Sequence, residues 1–472
     1  MNRAPLRTAV AAVAGAALLS GCTSFVDTVT APEPATVSSP AVRQESCPGR
    51  AEPDPDRPRV GLDFRLADDL RTVTGTETVV FTPDRPVEEL VFRLVPNGPD
   101  IASAGSRLVV DAVRGDDVAG SRYESLGASG PGGGYVVALD EPLEAGDTTE
   151  VELDFTLTLG SGGFERVGSD EDVSWWASGA PLLAWEPGVG WARDPFVEIS
   201  GETTTSAAAD TTVRVSAPAD LTVLMTGDQA EPTAPDAAGR RTWTSQEPVA
   251  RDVSVAAGRF TTAERTTPEG VRVTAGALPG AEPTADELAD ATVEAIADLE
   301  EHLGPFPYGT LTVPQLPDYR GGIEYPSSIL QASPSAEVLV HEVAHMWFYG
   351  MVGNSQYRDP WLDEAFATWA EALVHPSSAA ELEPALGVHG DVGAAMDDFR
   401  TQRQYGARVY GKGGAVLLAA REAAGAEAFD AAVRCYVDAA AWTIATPEDV
   451  AAALADLPEA RDVLVDAGAL SG

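Results

Sequence analysis

Lysine is all but missing from this chain. Lys412 is the only one among 472 residues, and every other strong base is arginine, a coding bias that makes the place where one lysine survives worth noting. Positive charge as a whole is scarce: 31 Lys and Arg stand against 73 Asp and Glu, a formal net charge of −42. A phosphate backbone is repelled by such a field, which argues against nucleic acid as a partner. Long apolar runs are missing too. The N-terminal run over residues 9–19 is too short to span a membrane as a stable helix. Cysteine is limited to Cys22, Cys47 and Cys435, and histidine to five residues.

What is present is enough for two globular domains. Hydrophobic residues make up 44% and aromatics 7%, so most of the chain can bury a core. The N-terminus is the exception. Arg3 and Arg7 precede the apolar run, and Leu19-Ser20-Gly21-Cys22 follows it. Small residues before a cysteine resemble the bacterial lipoprotein signal, which predicts a leader over 1–21, lipidation of Cys22 and a tether to the outer face of the cell membrane. Residues 22–56, rich in Thr, Ser, Pro and Glu without hydrophobic period, read as a disordered linker. Outside the cytoplasm Cys47 and Cys435 can form a disulfide; equally, Cys47 can be a free thiol and Cys435 a buried apolar side chain.

From 57 to 262 the signals are those of strands. Val151, Leu153, Phe155, Leu157 and Leu159 alternate with polar residues, the mark of a half-buried strand. Thr72 to Phe81, Leu90 to Val95, Thr211 to Ser216, Leu221 to Thr226 and Asp252 to Val255 are further strands. Gly, Pro and Asp clusters separate them. The expectation is an all-β domain, a curved antiparallel sheet or sandwich. The region 263–472 reads as mainly α with a small sheet. Thr284-Ala285-Asp286-Glu287 forms a capping box opening a helix to about 303. Strands follow around 310–315 and near 322–328, then helices to the end.

Ser333-Pro334 reads as an N-cap with proline in the first turn, opening a buried helix from Ala336 to Tyr349. Within it lies His341-Glu342-Val343-Ala344-His345. Residues four apart share a helical face, so both imidazoles can bind one ion, and Glu342 stands beside them. Catalytic zinc commonly takes three protein ligands and a water. Asp359-Pro360 reads as a second N-cap, opening a helix to about Val374 that presents Glu364 as the third ligand.

The run from His341 to Glu371 resembles the M1 family of zinc aminopeptidases, gluzincins with a thermolysin-like catalytic domain. Glu364 falls nineteen positions after His345, as that family's third ligand does. Gly321-Gly322-Ile323-Glu324-Tyr325-Pro326 resembles the family's Gly-x-Met-Glu-Asn segment, whose glutamate binds the substrate's free amine. Val409-Tyr410-Gly411-Lys412-Gly413 resembles its Tyr-x-Lys-Gly segment, whose tyrosine binds the oxyanion. By spacing alone Glu324 reads as a solvated acid on an edge strand and Tyr410 as a core tyrosine; the resemblance gives both a function. It implies one Zn2+ per chain on His341, His345 and Glu364, Glu342 as general base, and Tyr410 as oxyanion donor. It further implies peptide substrates held by Glu324 and the backbone of Gly321 and Gly322. The likeness spans about 60 to 460.

Departures accompany it. Ile323 and Tyr325 replace Met and Asn, Asp363 and Ala365 replace Asn and Gly, and no second amine anchor is recognisable in the β region. The chain ends soon after the catalytic helices, where the family usually continues into a large helical domain, and this predicts an open cleft. Removal of N-terminal residues from peptides is the expected activity. The alternatives are a zinc endopeptidase of broad specificity and a catalytically silent peptide-binding surface lipoprotein. Oligomeric state has no signature in the sequence.

Overall fold

The computed structural model describes residue 47 and residues 49–472, apart from 162–165, 171, 202–204 and 318–320. The leader, Cys22 and the linker up to residue 46 lie outside the described residues.

Period-two alternation builds the first half. In Thr149–Thr158 the residues Val151, Leu153, Phe155 and Leu157 point inward and are buried. This strand belongs to a seven-stranded sheet with the order Asp228–Gln229, Arg240–Ala250, Ala209–Pro218, Arg59–Leu66, Thr72–Phe81, Thr149–Thr158, Arg107–Arg114. One pair is parallel, Arg59–Leu66 beside Ala209–Pro218, with Leu62 opposite Val213. The other pairs are antiparallel. Gly75 sits opposite Phe155, whose ring covers it so closely that a Cβ there would lie 2.3 Å from Cζ. Two four-stranded sheets, one built around Val87–Arg93 and Gly134–Leu143, the other around Ser254–Gly258 and Val173–Ala177, and the short pair Trp185–Glu186 with Gly190–Trp191 complete the region. Phe64, Phe92, Phe155 and Trp176 join these layers in one core. The all-β first half expected from the alternation is what forms.

The strand Thr261–Thr266 belongs to a different, five-stranded sheet. Its order is Thr261–Thr266, Arg272–Ala277, Thr310–Pro314, Ser328–Gln331, Gly322–Tyr325. The helix Ala285–Leu303 packs on it and carries the capping box: the Thr284 amide donates to Glu287 Oε2 at 2.9 Å, and the Glu287 amide to Thr284 Oγ1 at 3.3 Å. Gly322–Tyr325 is the edge of this sheet, beside the helix Ala336–Ala344. The helices Ala336–Ala344, Trp361–Val374, Gly413–Ala424 and Ala426–Ala439 share one core, filled by Val343, Trp347, Phe366, Trp369 and Phe429.

Several local expectations are corrected. The single strand read near 322–328 is a hairpin, Gly322–Tyr325 with Ser328–Gln331, because Pro326-Ser327 makes the turn and Ser327 takes φ +50°. The first histidine-bearing helix begins at Ala336 with Ser335 at its N-cap. Ser333 instead accepts the Ser335 amide at 3.1 Å, shaping the turn ahead of the helix. That helix ends at Ala344, not at Tyr349, and its first turn is exposed. Beyond it the chain makes wide turns, Gly350 to the His345 carbonyl at 2.9 Å and Met351 to that of Met346 at 3.0 Å. The second helix has Pro360 at its N-cap; Asp359 contributes its carbonyl to the Leu362 amide and the Asn354 side chain.

Residues 49–56 carry no helix or strand but are fastened to the second half. Arg50 bonds Asp438 at 3.1 Å and the Pro305 carbonyl at 2.7 Å, and the Ala51 amide bonds the Asp438 carbonyl at 2.9 Å. Cys47 and Cys435 form a disulfide, with Cα atoms 5.1 Å apart, so of the two readings of this pair the bridge is the one that holds.

Candidate metal and peptide site

The helical spacing of His341 and His345 brings their rings together, with centroids 4.8 Å apart. Glu364 faces both from the neighbouring helix. Its Oε2 lies 3.3 Å from His341 Nε2 and 3.4 Å from His345 Nε2. One ligand atom from each of the three falls within 4.8 Å of the others. All three side chains are nearly or fully withdrawn from solvent, which makes their mutual charge strong.

A second layer orients them. Asp363 Oδ1 lies 2.6 Å from His345 Nδ1, and its Oδ2 accepts from Gln356 Nε2 at 2.8 Å. Glu371 Oε2 lies 3.4 Å from His341 Nδ1. Each imidazole thus has a carboxylate behind it and turns Nε2 toward the shared centre. Tyr410 stacks on His341 at 5.9 Å and donates its hydroxyl to Glu364 Oε1. It sits in a π-helical segment, Gly406–Lys412, a rare conformation found mostly at functional sites. Lys412 Nζ ties that segment to the Gly390 carbonyl at 2.6 Å.

Glu342 and Glu324 form a second group with His345, their ligand atoms within 4.8 Å of one another. Glu342 Oε2 and Glu324 Oε1 are buried and have no hydrogen-bond partner. Gly322 leaves room for the first of them: a Cβ at 322 would lie 2.4 Å from Glu342 Cγ. Tyr325, the departure beside Glu324, is fully buried. Its hydroxyl meets Arg166 Nη1 at 3.1 Å and Ser178 Oγ at 3.0 Å, and Ser178 in turn bonds Asp252. This tyrosine therefore knits the hairpin to the β region.

The field of the site is uneven. Burial, then the facing Glu324, push the Glu342 carboxyl up to about 8. Burial works against the charged form of His341, but Glu364 and Glu371 outweigh it and raise the ring to about 9. Burial likewise works against the Glu364 carboxylate, and the two histidines overcome it, holding it far below the usual range. A cavity of about 1140 Å³ runs over these groups, lined among others by Gly321, Gly322, Glu324, Glu342, His341 and Tyr410. The structure brings all the site residues read from the sequence together, except Cys22, which lies outside the described residues.

Several neighbours escaped the sequence reading. Asp363 was visible there only as a replacement, yet its place directly before Glu364 was a usable signal. Gln356, Arg166 and Ser178 left none, since their meeting depends on how separate elements pack; Thr368 lies four positions after Glu364 on the same helix, a spacing that by itself names no role.

Two imidazoles and a carboxylate with an open side suit zinc, and the excess of carboxylate behind them suits a cation. The orphaned Glu342 oxygen beside that opening is where an activated water would be held. Comparison with known proteins agrees. Residues 323–466 match the family model "Peptidase family M1 domain". Aminopeptidase M1-A of Oryza sativa subsp. japonica is 24% identical over 236 residues, 43% of this chain and 27% of that one. Endoplasmic reticulum aminopeptidase 1 of Homo sapiens is 24% identical over 225 residues, covering 40% and 24%. The chain thus spans about a quarter of the length of these relatives. The fold is that of an M1 zinc metallopeptidase from Deinococcus radiodurans, with TM-score 0.67 at 20% identity, covering 88% of this chain and 93% of that one. A variant of the latter bound to a Tyr-Ser-Ala substrate aligns with TM-score 0.65 at 19% identity, covering 88% and 94%. Residues 323–466, which hold His341, His345 and Glu364 together with Glu324, Glu342 and Tyr410, are thus similar to the peptidase family M1 domain.

Proposed function

We propose that the protein is a zinc aminopeptidase that removes N-terminal residues from peptides. The observation that carries this reading is the placement of Glu324: a buried carboxylate with a free oxygen, on the same side of the ligand set as Glu342 and close enough to share a group with it. A carboxylate there complements a free α-amine one residue away from the scissile bond.

When bound, zinc supplies the Lewis acidity that activates water and polarises the scissile carbonyl. Glu342 then takes the water proton and passes it to the leaving amine. The Tyr410 hydroxyl, now bonded to Glu364, swings its donation to the oxyanion as the carbonyl carbon becomes tetrahedral. Gly322–Tyr325 is an edge strand, so its outer backbone can pair with an extended peptide and align it along the cavity. Asp363 and Glu371 hold the two imidazoles in register throughout.

From the leader-like N-terminus we further propose a location outside the cytoplasm, anchored through Cys22 to the outer face of the cell membrane. The Cys47–Cys435 disulfide supports an oxidising compartment. The test of the activity is the hydrolysis of paired free and N-acetylated aminoacyl substrates by protein lacking residues 1–22, with a chelator control. Chelator-sensitive cleavage of the free substrates alone is expected. Equal cleavage of the acetylated ones would replace the reading with an endopeptidase.

A further inference from the structure

Besides Glu324 and Glu342, the cavity is lined by acids on the helices that carry and follow His341. Glu371 stands beside His341 Nδ1 at 3.4 Å. Glu337, one turn before His341, and Glu381, on the helix Pro376–Leu382, line the same cavity. Among the described residues lining it, the only arginine or lysine is Arg166, which bonds Tyr325.

Acids on a surface are common, and a second observation gives these a purpose. Thr368 is 8% exposed and also lines the cavity. It follows Glu364 by four positions and precedes Glu371 by three, so all three share one helical face. Its methyl group packs on Gly414, where a Cβ would come within 2.8 Å of Cγ2. Its hydroxyl is buried without any hydrogen-bond partner. A buried hydroxyl left unpaired is costly, and a ligand that brings a donor removes that cost.

With the free amine at Glu324 and the scissile bond at the centre shared by His341, His345 and Glu364, the residue after the cleaved bond is the one that meets the acids beside His341. The geometry points to a subsite for a cationic side chain, lysine or arginine, at the second position of the peptide. Its methylene stem lies across Val338 and Leu382, and its N–H groups meet Glu337, Glu371, Glu381 and the Thr368 hydroxyl. All four offer acceptors, and a guanidinium or ammonium offers only donors. An acidic side chain meets like charge. This inference rests on the aminopeptidase reading, because that reading sets the direction of the peptide.

The test is binding, which needs no turnover. Zinc-loaded protein carrying Glu342→Gln is titrated calorimetrically with the amides of Ala-Arg, Ala-Lys, Ala-norleucine and Ala-Glu. Arg and Lys peptides are expected to bind about tenfold more tightly than the norleucine peptide, which is similar in length and uncharged, with Glu weakest. The gap is expected to shrink between about 50 mM and about 500 mM salt. Adding Glu337→Gln and Glu381→Gln is expected to remove most of it, and Thr368→Val a further part for Arg. Equal binding of arginine and norleucine peptides would overturn the subsite while leaving a required free amine intact. Equal binding of N-acetyl-Ala-Arg amide and its free form would overturn the aminopeptidase reading while leaving the cation preference standing.

Discussion

Asp363 Oδ1 and His345 Nδ1 lie 2.6 Å apart, with both side chains out of reach of solvent. The contact fixes the ring so that Nε2 faces Glu364. It also gives a role to the acid that stands where the family more often has asparagine. Burial raises the Asp363 carboxyl to about 6, with His345 pulling against it, so the pair is a charge-assisted one. Asp363→Ala is expected to weaken zinc binding by about tenfold to a hundredfold, read by competition with a chelating dye. Unchanged zinc affinity in the folded variant would show that His345 needs no such partner.

Gly322 and Glu342 make a second testable pair. Because a Cβ at 322 would fall 2.4 Å from Glu342 Cγ, Gly322→Ala must displace the carboxylate or the strand. The displacement reaches the general base before it reaches the histidines. The expected outcome is retained zinc with kcat lower by about a hundredfold, the usual scale for a misplaced catalytic group. Glu342→Gln should likewise keep zinc and abolish turnover. Near-normal turnover of Glu342→Gln, with zinc bound, would remove Glu342 from the mechanism; near-normal turnover of Gly322→Ala would show that the strand gives way instead of the carboxylate.

How much of this was legible beforehand follows from how local each signal is. The His341–His345 pair, the strand alternation at Val151 to Leu157 and the Thr284 capping box are written in spacings of a few residues, and each stands where the spacing put it. The helix ends were not. Ser333 and Asp359 are good capping residues by type, but Ser333 bonds the Ser335 amide, and the chain after Ala344 unwinds into wide turns. Thr368, Gln356 and Arg166 were invisible for a different reason. Arg166 meets Tyr325 from 159 positions away, while Gln356 and Thr368 lie near their partners in sequence but carry no residue pattern that marks them.

The disulfide joins residues 388 positions apart, fastening the segment before the β region to the helix Ala426–Ala439. Closing so long a loop restricts the unfolded chain, and such bridges typically contribute about 2–4 kcal/mol. The pair Cys47→Ser and Cys435→Ser is expected to lower unfolding stability in denaturant by about that amount at unchanged kcat. Protein lacking residues 1–22 should show no reactive thiol until it is reduced. A free-thiol count of two before reduction would refute the bridge.

Glu247 supplies a pH dependence away from the metal ligands. It is 7% exposed on the strand Arg240–Ala250, and burial, only partly opposed by a hydrogen bond from Ser327, pushes its carboxyl up to about 7. An acid raised in the folded state binds its proton more tightly there than when unfolded. Between the unfolded value near 4.5 and the folded value near 7 the native protein therefore holds a proton that the unfolded chain has released, so stability falls as pH rises through that window. The full loss is present above pH 7, on the order of 1–3 kcal/mol. Glu247→Gln cannot ionise and is expected to lack this component. Melting curves of the two proteins at pH 5, 6, 7 and 8 should therefore converge at the acid end and separate at the alkaline end, the variant melting higher. Parallel pH profiles would mean that Glu247 is already ionised in the folded protein, held by partners stronger than Ser327.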